Sequence, residues 1–201
     1  MTNPKNIRKK RWFKLLIALI VLAVVLVLLF ILLPKSKKNS DEKRNKRATE
    51  LFNQGQEALS NRNYQESVDK LLQANELRPN DYNTVYSLAM AYYGLKDYAG
   101  SEKYYAIASQ SPKANKSSIA MIYNNLGNIY RDQNQTEKAE SAYKQAIGLD
   151  PHLTYSYMNL AVMYYNDNKT DRAIEILRQG VSAVPSASDL ADLLKKYIQK
   201  R

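Results

Sequence analysis

Apolar positions along the chain follow two different patterns. From Leu15 to Leu33, nineteen residues are apolar without interruption. Beyond residue 47 the apolar residues instead recur three and four apart, as in Leu126, Ile129 and Tyr130, or Ala139, Ala142, Tyr143, Ala146 and Ile147. Three-and-four spacing places residues on one face of a helix, whereas strands would alternate. The first run predicts one helix of about 28 Å, close to the hydrocarbon thickness of a bilayer. A helix is the open structure that satisfies its own backbone there. Trp12 stands at the near boundary, where an amphipathic ring is favoured, and Pro34 ends the run. The apolar core of a cleaved signal is roughly seven to fifteen residues followed by a small-x-small site. Phe30 to Lys35 offers no such site, so the run reads as an uncleaved anchor.

The second pattern is periodic at a longer scale. Pro151 and Pro185 lie 34 residues apart, and Pro79 occupies the corresponding place near the end of an earlier unit. Units of that length fit 48–81, 82–115, 120–153 and 154–187, with residues 116–119 inserted. The fourth place of each holds Leu51, Val85, Tyr123 and Tyr157. The eighth holds Gly55, Ala89, Gly127 and Ala161, and the twentieth Ser67, Ser101, Ala139 and Ala173. The twenty-fourth holds Leu71, Tyr105, Tyr143 and Leu177. Small residues at two of these places let paired helices approach closely, and rings at the others fill the gaps between units. Thr136 and Thr170 stand where second helices begin, with hydroxyls suited to capping. Residues 186–201 read as one more amphipathic helix, with Leu190, Leu193, Leu194, Tyr197 and Ile198 covering the last unit.

This pattern resembles the tetratricopeptide repeat, a helix–turn–helix unit of about 34 residues. The resemblance implies an all-α solenoid of four units; with the amphipathic C-terminal helix and the apolar run added, the expected fold is that solenoid with a C-terminal capping helix, preceded by one N-terminal transmembrane helix. The expected organisation is a basic tail over 1–14, the membrane helix over 15–33, a basic juxtamembrane linker over 34–47, the units over 48–187 and the cap over 186–201. It also implies a concave groove lined by the second, fifth, ninth, twelfth and thirteenth places of each unit. Carried over, these give Phe52 in the first unit, Tyr86, Met90 and Tyr93 in the second, Met121, Asn124, Asn128 and Arg131 in the third, and Tyr155, Met158, Val162 and Tyr165 in the fourth. Rings give contact area at low entropic cost, methionine adapts to varied partners, and asparagine both donates and accepts. Relatives that clamp a C-terminal carboxylate use Lys or Arg with Asn; the fifth and ninth places here hold Phe52, Gln56, Tyr86 and Met90. A carboxylate clamp is therefore disfavoured.

Charge sharpens the division. The chain carries +11, and residues 1–47, with thirteen Lys/Arg against Asp41 and Glu42, account for all of it. Residues 48–201 are neutral, so the basic face of a nucleic-acid binder is missing. Six basic residues precede the apolar run and seven follow it, but all six leading charges and four trailing ones fall within ten residues of it. The positive-inside rule then places the N-terminus in the cytoplasm and the repeats outside it. The basic stretch 35–47 suits anionic lipid headgroups. No cysteine and a single histidine, His152, rule out disulfides, thiol nucleophiles and two-histidine metal sites. No phosphate-binding glycine loop occurs, and the chemistry needed for an enzyme or a cofactor site is missing. The reading is a non-enzymatic membrane-anchored scaffold or adaptor that binds a peptide or protein partner in its groove. The alternatives are an assembly factor or holdase for membrane or exported proteins, and a structural subunit of a membrane complex.

Overall fold

The computed structural model describes the backbone of residues 4–200 and the side chains of 12–27 and 38–200. By contact the chain divides into two units, Met1–Ala48 and Thr49–Arg201. Among the described residues there are nine α-helices and no strands: α1 (Pro4–Ser60), α2 (Tyr64–Leu77), α3 (Tyr82–Gly94), α4 (Tyr98–Ser109), α5 (Lys116–Asp132), α6 (Thr136–Leu149), α7 (Thr154–Asn166), α8 (Thr170–Ala183) and α9 (Ser188–Gln199).

In the first unit the backbone is helical throughout its described part, and the described side chains from Trp12 to Val27 are exposed. The segment expected to be a linker, 34–47, is helical, and Pro34 does not end the helix. A proline inside a helix removes one backbone bond. The strong helix formers of 41–51 continue the helix beyond it. Among the described residues no helix is long and apolar enough to cross a membrane. The expected span 15–33 lies in part outside them, since the side chains of 28–33 are not described.

In the second unit the helices form successive hairpins, with the end of α1 before α2, then α3/α4, α5/α6 and α7/α8, and α9 last. Each hairpin turns through a residue of positive φ at the same place: Arg62 (62°), Lys96 (61°), Asn134 (59°) and Asn168 (58°). Each turn is a Schellman motif. Asn63 N donates to Ala58 O at 2.8 Å and Arg62 N to Leu59 O at 3.1 Å, with the same pair of bonds at Lys96–Asp97, Asn134–Gln135 and Asn168–Lys169. Contrary to expectation, Thr136 and Thr170 are not caps. They are the first helical residues, and Gln135 and Lys169, which hold the cap positions ahead of them, make no side-chain cap bond. Capping falls instead to Asp81, Asp97 and Asn115, whose side chains accept from Thr84 N (3.4 Å), Gly100 N (2.9 Å) and Ser118 N (2.8 Å). The four inserted residues extend α5 at its N-terminus, making it longer than α3 or α7.

Close approach within a hairpin rests on the small residues. A methyl placed on Gly127 would lie 2.5 Å from the Tyr143 ring, and one on Gly55 would lie 2.6 Å from Leu71. Ser67 Oγ donates to Gly55 O at 2.8 Å, and Ser101 Oγ donates to Ala89 O at 2.7 Å, so these buried hydroxyls are satisfied. Tyr143, Leu160, Leu177 and Leu190 are fully buried, and Leu190 of α9 packs on Gly180 of α8. The last helix thus closes the apolar core of the final hairpin.

Candidate functional site

The first helices of the hairpins are joined to one another by side-chain hydrogen bonds. Between α3 and α5, Asn125 Nδ2 donates to Tyr86 Oη at 3.0 Å and Tyr93 Oη donates to Asp132 Oδ2 at 2.6 Å. Between α5 and α7, Ser156 Oγ and Asn159 Nδ2 donate to Asn124 Oδ1 at 3.3 and 3.0 Å. These pairs hold the residues expected in the groove along one face, but they use several of those residues internally.

Asn124 is 8 % exposed and also donates to Asn125 Oδ1, so it serves as a strut between α5 and α7. Asn128 Oδ1 accepts from Tyr143 Oη at 2.8 Å and Arg131 Nη1 at 3.3 Å, which leaves its amide NH2 as the group to offer a ligand. Arg131 donates through Nε (3.1 Å) and Nη2 (2.9 Å) to Asp132 Oδ1. Burial opposes the arginine charge, but the neighbouring Tyr143 phenol and Asp132 carboxylate outweigh it and raise its pKa. Burial, then the bond to Asp132, pushes the Tyr93 phenol well above its ordinary value. Burial likewise pushes Tyr143 up to about 12. Both hydroxyls are therefore fixed as donors at physiological pH.

The other expected residues differ in access. Met90 is 39 % exposed, Met121 45 % and Tyr155 66 %, which are large values for apolar side chains. Phe52 packs against the cluster of Val68, Leu71, Leu88 and Ala91. Tyr86 stacks on Tyr82 at 5.8 Å and meets Tyr105 edge-on at 5.5 Å. Val162 is half-buried, and Met158 packs against the core of the last hairpins. Tyr165 is covered by Tyr197 of α9, ring on ring at 4.1 Å and 11°.

The open part of the face is a cleft of about 360 Å³ among the end of α1, α3 and α5. It brings together Met90, Tyr93 and Asn128 with Leu59, Tyr64 and Asn125, and Tyr105 forms part of its floor. Asn125 is absent from the residues expected in the groove. It stands one position beyond Asn124 in the Asn124–Asn125 pair, and the rotation of α5 turns the second of the two toward the cleft. Tyr64 and Tyr105 belong to places filled for packing, and their ring edges reach the cleft as well. A second cleft of about 410 Å³ lies between α6 and α8, lined by Glu140, Lys144, Tyr164 and Arg172 among others. Its charges are matched locally. Lys144 Nζ sits 2.6 Å from Glu140 Oε1, which holds that carboxyl below its ordinary range.

No curated protein matches the chain in sequence. Among solved structures it is similar to the one described as a functional characterization of Pseudomonas aeruginosa pilF, at 19 % identity and a TM-score of 0.61, over 79 % of this chain and 70 % of that one. It is also similar to MamA, at 16 % identity and 0.61, over 76 % and 86 % of the two chains. A thermophilic TPR protein of Thermus thermophilus matches at 17 % identity and 0.60, over 74 % and 80 %. At these identities the likeness is one of fold. Three family models, each described as tetratricopeptide repeat, match residues 52–115, 120–153 and 153–183. The chain belongs to the tetratricopeptide repeat family, whose solenoid is a scaffold for protein–protein interaction.

Proposed function

We propose that this protein is a non-enzymatic, membrane-anchored adaptor that holds a peptide or protein partner in the groove formed by its first helices. The observation that carries the reading is the open cleft of about 360 Å³ at α1, α3 and α5, lined by the exposed thioether of Met90 and the rings of Tyr64 and Tyr93. Rings and a thioether left accessible in one cleft favour interaction over solvation. The anchor is the apolar run 15–33. Its described side chains, from Leu15 to Val27, are all exposed, and apolar surface of that extent is stable in lipid rather than in water. Charge within ten residues of the run favours the N-terminus inside and the repeats outside the cytoplasm, with 35–47 against anionic headgroups.

Photo-crosslinking in intact membranes tests the groove. A crosslinker in place of Met90 should capture a discrete partner, and one in place of Gln179 on α8 should not. Equal capture from both positions, or capture from 179 alone, overturns the reading. A C-terminal reporter active only outside the cytoplasm should be active, and an inactive one reverses the orientation.

A further inference from the structure

Arg62 stands apart from the other residues around the cleft at α1, α3 and α5. Among the described residues lining the cleft it is the one that is charged, and it is exposed at the first hairpin turn. No acid among the described residues pairs with it. Asp132, which accepts from the cleft residue Tyr93, is already neutralised by Arg131 at 2.9 Å. The rim of the cleft therefore carries one uncompensated positive charge. Behind it the walls are apolar. A side chain at position 94 would collide with the Tyr64 ring, so it is Gly94 that lets this ring line the cleft. Met90, 39 % exposed, and the Tyr93 and Tyr105 rings continue the wall. A volume of about 360 Å³ lies in the range of small-molecule sites, which are mostly apolar with a few polar groups that fix orientation. A ring or short aliphatic body seated on Tyr64 and Met90 gives up contact with water and has no charge to desolvate. A carboxylate on the same molecule meets the planar guanidinium fork of Arg62, which can donate two N–H groups to it. A cationic group would meet like charge. The end of a protein chain offers the same chemistry as a free acid, but the basic residues that clamp such an end are missing from Phe52, Gln56, Tyr86 and Met90.

We propose that this cleft is a small-molecule site for an amphipathic monoanion, with an aromatic or aliphatic body against Tyr64 and Met90 and a carboxylate on Arg62. This goes beyond the partner-binding reading above: a small acid seated there occupies the opening that a partner would use, and so competes with it.

The test uses the full chain in nanodiscs of zwitterionic lipid, with its methionine methyl groups isotopically labelled for NMR. Met90 reports from inside the cleft, and Met163, 5 % exposed, is the internal control. Phenylpropanoate should shift the Met90 methyl saturably and leave Met163 in place. The neutral phenylpropanamide should bind about three- to fivefold more weakly, the scale of an exposed ion pair, and high salt should narrow that gap. Phenylpropylamine, a cation, should bind more weakly than the amide. Arg62→Gly, which suits the left-handed backbone at that turn and so spares the fold, should bind acid and amide alike. Absence of a Met90 shift with all three compounds, or a preference for the acid that survives Arg62→Gly, overturns the proposal. Tighter binding of a short peptide ending in a free Phe carboxylate than of phenylpropanoate assigns the site to chain ends and overturns it as a small-molecule site. The partner reading stands or falls separately, on crosslinking from position 90.

Discussion

Two glycines in adjacent helices respond oppositely to one substitution. Gly127 in α5 faces Tyr143, and Gly148 in α6 has nothing within 4 Å of where its Cβ would stand. Replacing a helical glycine by alanine gains about 1 kcal/mol of intrinsic helix propensity. At Gly148 that gain stands alone, so Gly148→Ala should stabilise by about 0.5–1 kcal/mol. At Gly127 the new methyl lies 2.5 Å from Tyr143 Cε1, where ordinary contact begins at 3.4 Å, so the ring must move by about 0.9 Å. That ring is fully buried, and its hydroxyl is tied to Asn128 at 2.8 Å. Overpacking costs about 1–3 kcal/mol, and stretching the hydrogen bond costs up to about 1 more. Gly127→Ala should therefore lose a net of up to about 3 kcal/mol after the propensity gain is subtracted. With about 2–4 °C per kcal/mol for a domain of this size, its Tm should fall by up to about 12 °C, while that of Gly148→Ala rises by about 1–4 °C. Thermal unfolding of both variants of the full chain, followed by circular dichroism, decides it. If Gly127→Ala matched Gly148→Ala in stability, the close approach of α5 and α6 would not be the constraint described.

Four further outcomes follow from other sites. Asn124→Ala would leave Ser156 Oγ and Asn159 Nδ2 without their shared acceptor; it should cost about 1–3 kcal/mol in urea unfolding, and no loss would show the strut to be ornamental. Lys96→Gly relieves a side chain held at φ 61° and should raise stability by about 0.5–1 kcal/mol, measured the same way. For Asp81, burial raises the carboxyl, but Lys113 at 3.0 Å and the Thr84 N–H outweigh it and hold the pKa below its ordinary 3.8. The stability it supplies is present above 3.8 and drains as pH falls through the lower folded value, so the gap in urea midpoint between wild type and Asp81→Asn should close over that acid range. Tyr197→Ala empties a nearly buried site on the last hairpin; it should cost about 3 kcal/mol and raise amide exchange in α7 and α8 first.

Family and helical class were legible because they depend on local spacing. Gly127 and Ala161, or Tyr143 and Leu177, stand 34 residues apart and mark each hairpin without any knowledge of contacts. The turns were less legible, since two of the four hairpin turns place Arg62 and Lys96, rather than glycine or asparagine, at their positive-φ position. Residue type alone gave no sign that the backbone there is left-handed. The site was the least legible part. Whether Asn124 points to a ligand or to Ser156 is decided by a residue 32 positions away. The amphipathic pattern of 186–201 predicts that Tyr197 covers the last unit, but not that its ring stacks on Tyr165. The helix through Pro34 shows the converse, where a local stop signal yields to strong helix formers after it.

The hydrogen bonds between neighbouring first helices carry a consequence for how a guest is read. Tyr93 to Asp132 and Asn124 to Ser156 and Asn159 are short-range, directional ties, unlike the slippery oil-to-oil seams that let stacked helices slide. They act as a gauge block, setting the spacing of the inner wall before any guest arrives. On the proposed reading, a jaw of fixed opening would discriminate by girth and shape, and would hold a matching strand without first spending energy to close around it.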